Sequence, residues 1–352
     1  MEIGLYTFGN VTQGPAGKPV SVAQRYAELV AMAKLAEDVG LDVFGVGEHH
    51  RLDLAVSSPA VLLAAIGMVT QRLRLVSAVT ILSTLDPVRV FEDFATADLT
   101  SGGRVELIVG RGAFTESFGL FGYDLAQYDA LFAEHLELLL ALNRAERVSW
   151  QGRFRPALDK AEISPRPLAG TLPIWLGVGG TPESAERAGR LGLPLTLANI
   201  SQPPAKFAPQ IESYRRAGRA AGHAPEQLRV AVAGHLYVGR ESQAAHEHFY
   251  PYYSAYFSQH APKASYLAAV PRETYDLRAL PTGPLFVGSP QQIIDKVHRY
   301  HDQLGHEVMH LHADGDGLTD KQHRATLELF QAEIAPALRR DIPSRPLGGS
   351  HS

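Results

Sequence analysis

The chain has 352 residues, 45% of them hydrophobic, with a net charge of −4 and a pI near 6.4. That length suits one large α/β domain, and the mild acidity argues against nucleic acid or an anionic membrane as main partner, since both require a basic footprint. Cysteine is absent, which excludes disulfides, thiolate nucleophiles and Cys-ligated zinc or iron–sulfur centres.

The first residues, Met1-Glu2-Ile3-Gly4-Leu5-Tyr6, lack the basic and apolar regions of a signal peptide and read as a first strand. No apolar run approaches the roughly 18 residues of a membrane span. A soluble cytoplasmic protein is expected. In chain order, strands are predicted at Ile3–Thr7, Val43–Gly47, Leu73–Ile81, Val105–Val109, Ile174–Gly177, Leu195–Ala198, Val230–Val238 and Val308–His312. Several are continuously apolar, as strands covered on both faces are.

Helices are predicted between most of them. Val22–Val39 carries Tyr26, Leu29, Val30, Ala33 and Ala36 at helical spacing and ends at Gly40. Pro87–Leu99 starts with Asp86 as N-cap and Pro87 at the first helical position. Leu125–Leu142 carries a leucine stripe, and Pro182–Leu191, Pro204–Ala221, Pro290–Leu304 and Thr319–Leu338 complete the set. Eight strands alternating with helices predict an α/β fold, a (β/α)8 TIM barrel, over residues 1–342 as a single domain. Two stretches exceed a minimal barrel, about 143–173 and 239–289, and are expected as insertions on βα loops. The Pro/Gly/Ser-rich segment 343–352 reads as a flexible tail.

Glu48-His49-His50 follows the apolar run Val43–Gly47, so the three polar side chains stand where a strand leaves the core. In parallel α/β folds that end carries the chemistry. A carboxylate beside two imidazoles offers a general acid or base and its orienting partner. Small residues at Ser77 and Ala78 allow a flat ring to pack on the backbone, although an ordinary barrel strand reads the same way. Arg111, in Gly110-Arg111-Gly112, lies just past a strand, placed either to meet an anion or to sit on the surface.

Gly177-Val178-Gly179-Gly180-Thr181-Pro182-Glu183-Ser184 follows a strand and opens a helix. Glycines permit close backbone approach, and a helix N-terminus attracts negative charge. Thr181 and Ser184 add hydroxyl donors. The segment is a phosphate cradle or a plain turn with a Thr cap; it is neither a dinucleotide fingerprint nor a Walker loop. His310 and His312, two apart on a strand, face the same way. No spacing joins them to His49 and His50 as metal ligands, so no metal is expected. His246 and His248 are expected to be solvated. The aromatic run from Phe249 to Phe257 can wall a pocket or an interface.

Taken in order, four features resemble the bacterial luciferase-like flavin-dependent monooxygenases. They are Gly47-Glu48-His49-His50; Asp86-Pro87-Val88-Arg89 with Glu92-Asp93; Ser101-Gly102-Gly103-Arg104 leading to Gly110-Arg111-Gly112; and Gly179-Gly180-Thr181-Pro182-Glu183-Ser184 followed by Gly192-Leu193-Pro194. The resemblance runs from Ile3 to about Leu338. It implies a barrel binding reduced FMN at its carboxyl rim, with Arg111, Gly179, Gly180, Thr181 and Ser184 as the phosphate site. It places a non-proline cis peptide at Ala78-Val79, beneath the flavin ring. It makes His49 the active-site histidine, with Glu48 and His50 orienting it or shaping the pocket. The activity implied is a two-component one: a separate NAD(P)H–flavin reductase supplies FMNH2, and O2 then serves to oxidise a small organic substrate. A homodimer is also implied. Related barrels use deazaflavin F420 for dehydrogenation, and that reading stays open, as does a non-catalytic flavin-binding or partner subunit.

Overall fold

In the computed structural model, residues 1–11, 20–112, 114–198, 201–260, 270–314 and 317–344 are described. The predicted tail lies outside them from residue 345 onward. All eight predicted strands form: β1 (Glu2–Thr7), β2 (Val43–Val46), β3 (Arg74–Ile81), β4 (Val105–Gly110), β5 (Ile174–Val178), β6 (Leu195–Ala198), β7 (Val230–Val238) and β8 (Val308–His312). Each pairs in parallel with its neighbours, and β8 pairs with β1, so the sheet closes into a (β/α)8 barrel. A short strand, Phe286–Gly288, pairs in parallel beside the carboxyl end of β7, at Leu236–Val238.

The helices are α1 (Val22–Asp38), α2 (Pro59–Gly67), α3 (Pro87–Ser101), α4 (Glu116–Phe121), α5 (Tyr128–Arg144), α6 (Pro182–Leu191), α7 (Ala208–Ala220), α8 (Ser242–His260), α9 (Arg272–Ala279), α10 (Pro290–Leu304), α11 (Asp320–Leu329) and α12 (Ala335–Asp341). Turn chemistry sets their ends. The Asp86 carboxylate accepts the Val88 amide at the start of α3, and Gly40, just past α1, takes the left-handed φ of 84°. Helix α2 escaped prediction because Pro59–Gly67 is apolar at almost every position and shows no 3.6-residue phase. The stretch predicted as one helix from Thr319 divides into α11, a π turn at Phe330–Ile334 and α12. Pro336 lacks the amide that a continuous ladder needs there. None of the described helices is long and apolar enough to cross a membrane.

The two insertions differ from expectation in one respect. The stretch 143–173 carries an antiparallel hairpin, Arg147–Trp150 with Leu158–Glu162. It follows α5 and precedes β5, so it belongs to an αβ connection and not to a βα loop. The stretch 239–289 does lie on a βα connection, between β7 and α10. Its α8 and α9 bury Phe249, Tyr253, Tyr256, Phe257 and Tyr275 in an aromatic cluster of their own.

Inside the barrel, residues two apart on each strand stack in layers. The amino-terminal floor is ionic. Arg74 bridges Glu2 and Glu106, Trp175 donates its indole N–H to Glu106 at 2.8 Å, and buried Arg229 reaches Glu307 at 2.8 Å and Glu2 at 3.1 Å. Above it sit Val43, Val76, Ile108, Trp175, Ala231 and Val308. Two residues further along the same strands come Gly45, Ala78, Gly110, Gly177, Ala233 and His310. The filling thus thins toward the carboxyl rim.

Outside the barrel, Arg104 ties the ends of α2 and α3 together. Its guanidinium donates to the carbonyls of Ser101, Leu73, Gly67 and Thr70 and to the Thr70 hydroxyl, at 2.7–3.1 Å. The two helices approach closely at Gly67, where a Cβ would come within 2.7 Å of Ser101 Cβ. The Arg104→Lys variant keeps the charge and loses the planar fork. It is expected to lose roughly 2–3 kcal/mol of stability, read from the urea midpoint at constant slope.

Five buried histidines have pKa values below the ordinary 6.5. Burial pushes His306 and His310 each to about 3, drives His235 well down, and lowers His323 and His135. Between 6.5 and those lower values the unfolded chain binds more protons than the folded one, so this stabilisation is complete above 6.5 and lost as pH falls. The urea midpoint should drop from about pH 7 to about pH 5, and His306→Gln should flatten that slope.

Candidate active site

Backbone pairing continues past the end of β2. The Gly47 amide donates to Thr7 O at 2.9 Å and the Glu48 amide to Val79 O at 3.2 Å. Strand-like alternation therefore persists through the three polar residues. Glu48 and His50 turn one way and His49 the other. The buried Glu48 carboxylate accepts the Ile81 amide at 3.0 Å on one oxygen and meets His50 Nε2 at 2.9 Å on the other. Its partner is thus His50, not His49. The His50 ring packs edge-on against Phe121 and does not line the cavity described below. The His49 ring does line it, held edge-on between Phe8 at 5.3 Å and Phe114 at 5.4 Å.

The Ala78–Val79 peptide is cis. Pairing between β3 and β4 shifts register there, between Ala78 and Thr80. Val79 then lies over two positions without side chains. A Cβ on Gly110 or Gly177 would come within 2.8 or 2.9 Å of a Val79 methyl.

Beyond β4 and β5 a corner rich in guanidinium and hydroxyl groups takes shape. Arg111 donates to Thr181 Oγ1 at 2.7 Å and pairs with Asp129, and its guanidinium stands 5.1 Å from the centre of the Tyr128 ring. Thr181 Oγ1 and Ser184 Oγ are 2.8 Å apart. Helix α6 starts here without a side-chain cap hydrogen bond, and a Cβ on Gly179 or Gly180 would meet nothing within 4 Å. Arg187, one turn further along α6, adds a second cation; its pKa is lowered by burial and by Arg111 nearby.

These parts border one cavity of about 450 Å³ at the carboxyl rim. Of the residues singled out in the sequence, Glu48, His49, Ala78, Val79, Arg111 and Gly179 line it. Gly180, Thr181 and Ser184 stand at its Arg111 end. The aromatic run contributes Tyr256 and Phe257. Sequence reasoning missed Tyr6, Phe8, Phe114, Tyr128 and Thr196. The inward phase of β1 and β6 could have singled out Tyr6 and Thr196; nothing local marks Phe114 or Tyr128.

His310 and His312 do share a face. His310 lines the cavity, whereas His312 Nε2 lies 3.1 Å from Asp314. Burial pushes the Asp314 carboxyl up, but His312, Arg25 and the Thr7 hydroxyl together hold it below the ordinary range. Among the described residues no three His, Asp or Glu side chains converge as metal ligands would. His246 and His248, expected in solvent, are half-buried: His246 packs edge-on to Tyr275, and His248 accepts from Gln322 at 2.8 Å.

A family profile described as luciferase-like monooxygenase matches residues 1–307. The alkanal monooxygenase alpha chain of Photorhabdus laumondii is 25% identical over 362 residues, covering 94% of this chain and 98% of its own. Other curated relatives match over about half their own length. Two solved structures share the barrel at 19% identity. The oxygenating constituent of 3,6-diketocamphane monooxygenase from Pseudomonas putida, in complex with FMN, superposes with a TM-score of 0.75 over 96% of this chain and 98% of that one. An F420-dependent secondary alcohol dehydrogenase in complex with an F420–acetone adduct does so with a TM-score of 0.72 over 96% and 99%. With a matching profile over most of its length and the same barrel, this chain belongs to the luciferase-like monooxygenase family.

Proposed function

We propose that the protein is an FMN-dependent monooxygenase, taking reduced flavin from a separate NAD(P)H–flavin reductase and using O2 to oxidise a small organic substrate. The observation that carries this reading is the joining of two features in one cavity. An anion corner made by Arg111, Thr181 and Ser184 opens one end, and His49 stands in the apolar wall.

The residues fit a flavin phosphate ester. Arg111 and two hydroxyls offer charge-assisted and neutral donors, and the start of α6 adds its positive dipole end. Ala78, Gly110 and Gly177 line the same cavity, and Val79 packs directly over the two glycines as an apolar support. A cavity of this size falls in the range for cofactor sites. A reduced flavin, when bound, supplies the electrons for oxygen chemistry.

The chain's own residues do the rest. Arg111 and the hydroxyls of Thr181 and Ser184 hold the phosphate. Val79 supports a flat ring from one side. Phe8, Phe114, Tyr256 and Phe257 exclude water. His49 holds or delivers a proton at its ring nitrogens, and Phe8 and Phe114 fix that ring. Glu48 and His50 act as positioning residues: Glu48 ties the end of β2 to the start of the β3 exit at Ile81.

The reading is tested by anaerobic titration with FMNH2 and with reduced F420, followed by a substrate screen for O2-dependent product in the presence of a flavin reductase. Binding of reduced F420 without FMNH2 would overturn it in favour of a dehydrogenase. FMNH2 binding with no product from any substrate class would favour a non-catalytic partner subunit.

If the corner holds phosphate, the protein discriminates FMN from riboflavin. Arg111→Ala should cut that preference by about 10- to 100-fold, as loss of a charged hydrogen bond does, with riboflavin affinity unchanged; flavin fluorescence quenching reads both. His49→Ala should leave FMN affinity intact while slowing product formation roughly a hundredfold or more. Equal rates in the variant and the parent would remove His49 from the mechanism.

A further inference from the structure

The cavity has two unlike halves. On the β3–β5 side stand Ala78, Val79, the glycines of β4 and β5, and Arg111. Across the barrel, β1, β7, β8 and α8 contribute Tyr6, Phe8, Ala233, His310, Tyr256 and Phe257. Around this second half, Arg25 and Asp314 lie behind the wall, paired with each other at 2.7 Å, and do not line the cavity. The only imidazole facing it from β8 stays neutral, since burial, with Arg74 and Arg229 beyond, pushes His310 down to about 3.

One polar atom in this half has no assigned work. The Tyr6 hydroxyl is buried, with the residue only 3% exposed, and has no hydrogen-bond partner among the described residues. Its ring is held from behind, edge-on to Phe8 at 5.2 Å and tilted against His312 at 5.3 Å. Burial, and secondly Asp314, push its pKa up, so the phenol keeps its proton and can donate it. An unmade hydrogen bond at a buried hydroxyl is costly, and in a lined cavity the missing partner belongs to what the cavity binds.

We propose that the β1–β8–α8 half is the substrate half and that Tyr6 is its specificity-determining residue, donating its phenolic O–H to a carbonyl oxygen on an otherwise apolar, uncharged substrate. The assignment of halves rests on the flavin reading above; the pairing of Tyr6 with a carbonyl does not. Tyr6 stands on β1, across the barrel from Arg111 on the β4 exit, so a ligand bound there leaves the anion corner free. Apolar walls alone discriminate weakly between substrates of similar shape, whereas a site that hydrogen-bonds one substrate atom rejects the analogue lacking it.

The test uses calorimetry with three probes of one shape: cyclohexanone, methylenecyclohexane and cyclohexanecarboxylate. Each is titrated into the protein with and without oxidised FMN. The parent protein should prefer the ketone to the alkene by about tenfold or more and should not bind the carboxylate. Tyr6→Phe should abolish the preference, leave alkene affinity unchanged, and melt at the same or a higher temperature, since no protein partner loses a bond. The proposal is overturned by a carboxylate that binds best, by a ketone that binds no better than the alkene or not at all, or by a preference that survives in Tyr6→Phe. Failure of the flavin reading looks different: FMN does not bind, yet the Tyr6-dependent ketone preference persists in the flavin-free protein.

Discussion

A closed eight-stranded barrel encloses a volume that side chains must fill, and how this chain fills it decides everything above. Trp175, Val43, Val76, Ile108 and Val308 pack the middle, over an ionic floor of Glu2, Arg74, Glu106, Arg229 and Glu307. One inward position further up, the branched residues that usually complete such a core are replaced by Gly45, Ala78, Gly110, Gly177 and Ala233. The cavity opens above these small residues, with Val79 packed over Gly110 and Gly177. Its floor is therefore rigid, because the layers below are packed and ion-paired, while its rim is left to loops and to α8.

The ionic floor suits specificity better than stability. Buried Arg229 and half-buried Arg74, set among three carboxylates, lose much of their hydration, and the pairing offsets that loss without a large surplus. What such a network does supply is a single register: Arg74 on β3, Glu106 on β4, Arg229 at the start of β7 and Glu2 on β1 meet only when the barrel closes correctly. Charge at the other end is organised in the opposite way. Cations gather at one corner, around Arg111 and Arg187, and the rest of the wall is mainly apolar, with the Tyr6 phenol, a neutral His310, His49 and the Glu48 carboxylate among it.

The short motifs divide between these tasks. Glu48-His49-His50 and Gly179–Ser184 meet at the cavity. Asp86-Pro87 caps α3, Ser101–Arg104 holds the ends of α2 and α3, and Gly192 ends α6 with a φ of 65°. Even within the first motif the labour is split. Alternation sends the His49 ring into the cavity and His50 away from it, while Glu48, at the cavity wall, holds His50 and the Ile81 amide.

By itself the sequence determined the eight strands, most of the helices and the closed α/β architecture. Apolar period, Asp86 as a cap and glycines such as Gly40 act over a few residues and are readable there. The helix Pro59–Gly67, apolar on all sides, gave no such period, and the break before α12 turned on a single proline. Tertiary structure alone decided which polar groups work together. It gave Glu48 to His50 rather than His49, placed the hairpin of 147–162 on the αβ side, and set Tyr128 and Asp129 beside Arg111. It also joined Thr7 to Asp314, 307 residues away, near a tyrosine whose hydroxyl has no hydrogen-bond partner among the described residues. The reason is geometric: local spacing fixes which way a side chain points, but only barrel closure fixes what stands opposite it.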